Sequence, residues 1–157
     1  MVKDKKDPFK TIARNKKAAH DYILEDRLEA GIVLRGTEIK SARSGDVSLK
    51  EAYVQISGEE AWLVNAHIAP YKAASAFNHD PRRRRKLLLH RKEILRLDAK
   101  IRQRGYTVVP MRMYLKHGRA KVEIALARGK RKYDKRREIA ERDAARDVDR
   151  SFARRKP

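Results

Sequence analysis

A chain of 157 residues is sized for one core plus an extension, and it carries 41 Lys and Arg against 21 Asp and Glu, a formal charge of +20 with a pI near 10.5. Such an imbalance repels itself on compaction and favours a polyanionic partner, nucleic acid ahead of an anionic membrane, since no segment has the Trp, Phe and Leu face of an interfacial helix. With no cysteine there is neither a disulfide framework nor a thiolate metal site, and no stretch approaches the roughly 18 apolar residues of a membrane span. A cytoplasmic protein without a membrane partner is the expectation.

Taken in chain order, residues 1–17 are polar and basic, with no apolar h-region, and read as a flexible leader ending in Arg14-Asn15-Lys16-Lys17. From Tyr22 the pattern turns β: Tyr22, Leu24, Leu28, Ala30, Ile32 and Leu34 fall at even spacing on one face, as two short strands about a turn at Asp26-Arg27. Thr37 offers an N-cap for a short helix over 38–43 that Gly45 closes. Residues 52–56 and 61–64 form a hairpin across Ser57-Gly58-Glu59-Glu60, with Trp62 a core or wall aromatic. Residues 70–81 are a loop, and Leu87-Leu88-Leu89 a strand. Ile94, Leu97 and Ile101 repeat at helical spacing, which predicts the main helix over 91–104 with Gly105 at its end. Residues 106–115 and 121–127 close the domain as a hairpin. The fold expected is mainly β: a small closed or partly open OB-like β-barrel of about six strands, with one main helix and a shorter one, spanning 18–128.

At Gly129 the sequence changes character. Lys130, Arg131, Lys132, Lys135, Arg136 and Arg137 surround one aromatic, Tyr133, and one acid, Asp134, and beyond them large apolar residues nearly vanish. The stretch fits a polyanion-binding segment or a solvated linker. Further on, Ala140, Ala144, Val148 and Phe152 line one side of a helical projection, with Arg142, Arg146, Arg150 and Arg154 nearly opposite. Residues 129–157 therefore read as a basic tail, disordered or helical, that orders on a partner. As one helix, residues 134–155 would run about 33 Å at about 1.5 Å per residue.

Catalytic chemistry finds no foothold. The five histidines are scattered without i, i+4 pairs beside an acid, and there is no P-loop, no G-x-G-x-x-G and no G-x-S-x-G. Arg104-Gly105-Tyr106 begins like an RNA-recognition signature, but Thr107 and Val108 do not continue it. No cofactor, metal or enzyme activity is expected. A ribosomal protein with a barrel and a basic extension fits the composition as well as an RNA-binding adaptor does.

Seven ordered signatures run through the chain: Asn15-Lys16-Lys17-Ala18 with His20-Asp21-Tyr22; Glu29-Ala30-Gly31-Ile32; Gly36-Thr37-Glu38-Ile39-Lys40-Ser41; Asn78-His79-Asp80-Pro81; Arg85-Lys86-Leu87-Leu88-Leu89; Gly105-Tyr106-Thr107-Val108-Val109-Pro110; and Gly129-Lys130 with Tyr133-Asp134-Lys135-Arg136. In these the chain resembles, over nearly its whole length, the small protein B family of tmRNA-binding (SsrA-binding) proteins of bacterial trans-translation. The resemblance implies an OB-like barrel that holds the tRNA-like domain of tmRNA, and a tail that enters the empty mRNA path of a stalled ribosome.

By position Asn15, Glu29 and Leu88 match residues of a tmRNA-binding face, and the cations Lys16, Lys17, Lys40, Arg85 and Lys86 are further candidates for it. The junction Gly129, Lys130, Arg131, Lys132, Tyr133, Asp134, Lys135 and Arg136 is implied to meet the ribosome, mainly small-subunit rRNA, and the spacing of Arg142, Arg146 and Arg150 adds a basic stripe to it. The partners implied are tmRNA, the ribosome, and elongation factor Tu with alanyl-tmRNA, for a protein acting as a monomer. Glu29 is the odd member, an acid on an RNA face, suited to accept from a base amino group or a 2′-hydroxyl or to orient a lysine.

Overall fold

The structure, a computed structural model, describes residues 9–74, 77–103, 105–130, 144 and 146. Its elements in order are β1 (Phe9–Arg14), α1 (Lys16–Asp21), β2 (Tyr22–Ile32), α2 (Gly36–Arg43), β3 (Val47–Ser48), β4 (Tyr53–Ser57), β5 (Glu60–Val64), β6 (His67–Ile68), β7 (Arg85–Leu88), α3 (Arg91–Ile101), β8 (Tyr106–Lys116) and β9 (Arg119–Gly129). Six antiparallel strands pair in the order β8-β4-β5-β7-β2-β9, and β9 pairs back onto β8, so the sheet closes on itself in agreement with the OB-like expectation. Two joins of the ring are narrow. β4 meets β8 through Val54 and Val108, and β2 meets β7 through Gly31 and Ile32. The β8–β9 hairpin turns on His117 and Gly118, both at positive φ (50° and 78°), the combination a two-residue turn needs to match strand twist.

The interior is filled by inward residues of the six ring strands, including Val54, Leu63, Leu87, Val108, Val122, Ile124 and Leu126, and Ile94 and Leu97 of α3 pack against the same cluster. Each such large apolar side chain stabilises the fold by about 1.5–3 kcal/mol relative to exposure.

Three expectations change. Residues 9–14 are not a flexible leader: β1 pairs with β8 from Phe9↔Lys116 to Arg14↔Arg112, and Asn15 starts α1. Residues 1–8 lie outside the described residues. Second, Tyr22 to Ile32 is one strand, not two about a turn. Asp26, at φ 42°, is an extra residue between the pairs Glu25↔Leu126 and Arg27↔Ala125. That bulge reverses the alternation, so Leu28, Ala30 and Ile32 pack in the ring interior, whereas Tyr22 and Leu24 pack outside it with Ala18, Val109 and Ala127 beneath α1. Even spacing did not mean one face.

Third, Thr37 is not an N-cap: Arg35 holds that position and α2 begins at Gly36. Thr37 turns its hydroxyl to His79 Nδ1 at 2.8 Å, while Nε2 of that buried ring meets the Ile68 carbonyl at 2.9 Å. Trp62 is a wall residue on the outer side, half-buried, with the Arg84 guanidinium 4.3 Å from its ring centre.

Candidate nucleic-acid interface

The strand registers assemble one outward face across β1, β8, β9, β2 and β7. One row across the strands runs Arg14, Arg112, Glu123, Glu29; the next runs Thr11, Tyr114, Lys121, Gly31, Leu88; and a third places Phe9 opposite Lys116 and Lys116 opposite Arg119. These residues alternate with the core positions Met113, Val122 and Ile124, which is why a short segment of each strand suffices to build a charged surface over a packed interior.

Glu29 and Glu123 stand directly opposite each other, a like-charge pair that would be destabilising if left bare. Each is given its own donors. Arg27 Nη1 and Arg112 Nε bond Glu123 at 3.2 and 3.3 Å. Glu29 accepts from the Tyr114 hydroxyl and lies 3.5 Å from Lys116 Nζ. The hydroxyl bond, joined by the nearby lysine charges, outweighs partial burial and lowers the Glu29 carboxyl below its ordinary pKa, so it is an anion and an acceptor at neutral pH. Tyr114 is raised by burial and by its bond to Glu29, and remains a donor. Its ring is fixed on two sides, by Arg112 at 4.5 Å and by Phe9 at 6.0 Å between centroids.

Beside this cluster Leu88 is 55% exposed, an unusual state for a leucine in a strand, and it shares a cleft with Glu29, Gly31, Lys86, His90 and Lys121. Gly31 makes room for it. A Cβ on Gly31 would stand 3.2 Å from Leu88 Cβ, tighter than ordinary packing. Thus Glu29, Lys86 and Leu88 line one cleft, bringing a partly open acceptor, cations and an apolar contact onto one surface, a set suited to base edges, phosphates and a stacked or wedged base.

The other expected residues separate from them. Asn15 is buried and spends its side chain internally: Nδ2 donates to the carbonyls of Pro110 (2.9 Å) and Leu49 (3.2 Å), and Oδ1 accepts from Ala18 N (3.1 Å). It fills the gap where β8 changes partner from β1 to β4, so it positions the surface rather than offering polar atoms to it. Arg85 is wholly buried, bonded through Nε to Glu38 and through its other nitrogens to the carbonyls of Ala66 (2.8 Å) and Pro81 (3.1 Å). As an RNA contact it is corrected to a structural one. A buried guanidinium cannot reach a phosphate.

Lys16 and Lys17 are exposed on α1, where Lys17 pairs with Glu51; Lys16 borders a second cleft with Arg14, Arg27, Arg112 and Glu123, which adjoins the Glu29 row. Lys40 is exposed on α2, with its ammonium 5.4 Å from the Tyr71 ring centre. Gly129 pairs with Tyr22, and Lys130 N donates to the Asp21 carbonyl at 3.1 Å, so the chain leaves the ring beside α1. Arg146 is helical, as is Ala144, while Arg131, Lys132, Tyr133, Asp134, Lys135, Arg136, Arg142 and Arg150 lie outside the described residues.

Sequence reasoning missed Tyr114, Lys116, Lys121, Arg112 and Gly31. The alternation Arg112-Met113-Tyr114-Leu115-Lys116 carried the signal for three of them. The partner of Tyr114 is on another strand and could not be read from it.

Among the described residues no cluster of three or more His, Cys, Asp or Glu could hold a metal ion, and no helix is long and apolar enough to cross a membrane.

A family model described as SmpB protein matches residues 12–154. The SsrA-binding protein of Thermobifida fusca (strain YX) is 57% identical over 153 residues, covering 98% of this chain and 96% of its own length. That of Sulfurihydrogenibium sp. (strain YO3AOP1) is 56% identical over 143 residues, covering 91% and 94%. Among solved structures, a chain described under "tmRNA-SmpB: a journey to the center of the bacterial ribosome" matches with a TM-score of 0.66 at 48% identity, covering 80% of this chain and 89% of that one.

Proposed function

The chain belongs to the SmpB family, and from that premise we propose that it is a tmRNA-binding adaptor of trans-translation, which holds the tRNA-like domain of tmRNA and brings it to stalled ribosomes. The observation that carries the reading is identity above half with SsrA-binding proteins over nearly the whole chain. The charge of +20 supports it, since a polyanion relieves the self-repulsion. The tmRNA site proposed is the outer face around Glu29, Lys86 and Leu88, extended by Lys16, Lys17 and Lys40, with Asn15 and Arg85 holding it in shape from within.

The division proposed is functional as well as structural. The ring binds tmRNA, and the segment from Gly129 onward, with Tyr133 stacking at its near end and its arginines along rRNA, senses an empty mRNA channel. Delivery proceeds with elongation factor Tu and alanyl-tmRNA, the protein acts as a monomer in the cytoplasm, and no bond is made or broken by it.

Two measurements test this. Protein purified from cells should carry one dominant small structured RNA, bound with an affinity that falls steeply with salt: about five phosphate contacts give a log–log slope of several units. Fixed-stoichiometry retention on ribosomes in high salt, with no such RNA, would instead mark a ribosomal protein. Protein ending at Arg128 should keep its tmRNA affinity yet fail to support peptidyl transfer to alanyl-tmRNA on ribosomes stalled without downstream mRNA. Normal tagging by the truncated chain refutes the sensing role.

A further inference from the structure

We infer that Tyr114 is a positioning residue for RNA recognition: its hydroxyl, itself held inside the sheet, fixes the carboxylate of Glu29 so that the free lone pairs point outward at a donor of the RNA. The inference rests on the proposed placement of Glu29 on the tmRNA face and deepens it.

A glutamate on a strand surface has three rotatable bonds and, surrounded by cations, many ways to fold down onto one of them. Here lysines and arginines are plentiful on the same face, and Lys116 Nζ is already 3.5 Å away. A carboxylate collapsed onto a lysine would present RNA with a neutral pair. Lys116 does pair with Oε1, but at a long 3.5 Å, and Tyr114 holds Oε2, so the carboxylate is not folded down onto the lysine. Tyr114 is only 2% exposed, its ring packs against Arg112 and Phe9, and its O–H reaches across β9 from β8 to one carboxylate oxygen of Glu29. A phenol so placed has two torsions and no freedom to follow Glu29, so Glu29 must come to it. Glu29, 39% exposed at its side chain, lines the cleft with Leu88 and Lys121, and its carboxylate has more acceptor positions than its two bonds, from Tyr114 and Lys116, fill.

The partner chemistry follows from an acceptor-only group. It takes base amino or imino protons, or a ribose 2′-hydroxyl, and rejects phosphate. Lysines on the same face supply affinity for any RNA, so the oriented carboxylate supplies discrimination, at some cost in general attraction to phosphate. Tyr114 therefore acts on specificity more than on binding as such.

The experiment compares wild type, Glu29→Gln, Tyr114→Phe and the double variant, each binding the tRNA-like-domain RNA and an unrelated hairpin of equal length at one salt concentration. Glu29→Gln should weaken the tRNA-like RNA about tenfold, the size of one hydrogen bond to a charged group, and barely affect the hairpin. Tyr114→Phe, which removes one oxygen atom, should reproduce a large part of that loss and of the fall in the ratio between the two RNAs, and the double variant should be no worse than Glu29→Gln. Full affinity in Tyr114→Phe beside a loss in Glu29→Gln, or losses that simply add, overturns the role of Tyr114. Full affinity in Glu29→Gln overturns the placement of the site instead. If Tyr114→Phe does not fold, the wild-type hydroxyl proton decides: it should remain bonded to Glu29 in NMR spectra when the tRNA-like RNA is added, and its release by RNA overturns the inference.

Discussion

Two glutamates, nine residues apart in sequence, each sit among cationic donors and are proposed to do opposite work. Glu38 on α2 accepts from Arg83, Arg85 and the backbone N–H of Arg35, and neither it nor Arg85 has any exposed side-chain surface. Glu29 on β2 accepts from Tyr114, has a lysine nearby and remains partly open. In the first cluster the donors come from two sides, the Arg35 N–H at the start of α2 and the guanidinium groups of Arg83 and Arg85, and they close over the acid, so the charges are spent on joining α2 to β7. In the second the donors come from one side only. What separates the buried acid from the open one here is the direction from which the donors arrive, which residue type and local charge do not reveal.

The sharpest break of this comparison is Glu38→Ala. It leaves Arg85 buried without a counter-charge, and stability should fall by about 3–5 kcal/mol in chemical denaturation, as when one partner of a buried pair is removed. Adding Arg85→Met to that variant should recover part of the loss. A loss below about 1 kcal/mol would mean that the buried cluster is no more structural than the open one.

Acid should reveal the same cluster. Burial alone would raise the Glu38 pKa, but the bonds from Arg83, Arg35 and Arg85 outweigh it and the folded-state value lies below the ordinary 4.5. Glu38 therefore contributes its full stabilisation above about pH 4.5 and loses it as pH falls through the depressed folded value. Stability measured down a pH series should drop over that window. Glu29→Gln should leave most of the drop in place, and if it abolishes the drop, the acid-sensitive bond is the surface one.

Next in size is Glu29→Gln itself at neutral pH, where the two clusters should separate by readout. Its melting temperature should stay within a few degrees of wild type, because the group is partly exposed and screened, while tRNA-like RNA affinity falls about tenfold. A large loss of stability would make Glu29 a second structural acid.

The interior alternation of β5 and β9, the α3 helix and the hairpins were legible in the sequence, because each depends on residues within one element; β8 was not, because an extra residue at Met111 puts Val108 and Met113 on the same face. The Asp26 bulge was not, since an even-numbered apolar run looks unbroken until β9 shows one residue too many. Nor was β1: the apolar residues of Phe9-Lys10-Thr11-Ile12-Ala13-Arg14 do not alternate, because an extra residue at Ile12 breaks the register, and its stability comes from pairing with β8, about a hundred residues later. For the candidate face, Glu29 and Leu88 were put forward through a family resemblance, whereas the separation of Lys86, which lines the cleft, from Arg85, which is buried, follows only from strand parity. Had β7 been phased from Leu87, which is inward, Arg85 would have been assigned inward as well.

A smaller effect is expected at Gly31. Alanine there places a Cβ 3.2 Å from Leu88 Cβ, so Leu88 must tilt by a few tenths of an ångström. The strand tolerates this with a stability change of about 1 kcal/mol or less, but the exposed leucine leaves its seat, and tmRNA affinity should drop by about threefold, less than for Glu29→Gln. Unchanged affinity would show that the position of Leu88 is unimportant and narrow the face to Glu29 and the cations.

The smallest effect tests whether cations that already have a partner differ from those that do not bond an acid. Lys17 pairs with Glu51 across exposed surface, and that pair raises the lysine and lowers the glutamate, each chiefly through their mutual hydrogen bond. To contact a phosphate, Lys17 must leave Glu51, so part of the electrostatic gain offsets the lost pair. Glu51→Gln removes this competition and a negative charge, and should raise affinity for tRNA-like RNA by less than about threefold, with the gain shrinking as salt is added. On the same reasoning Lys16→Met should reduce the salt slope by nearly the full value of one contact, about 0.7–0.9, and Lys17→Met by less. Equal slopes for the two lysines would mean that the pair opens freely when RNA arrives. A fall in affinity for Glu51→Gln would go further, because it would show Glu51 holding Lys17 in its binding position, as Tyr114 is inferred to hold Glu29.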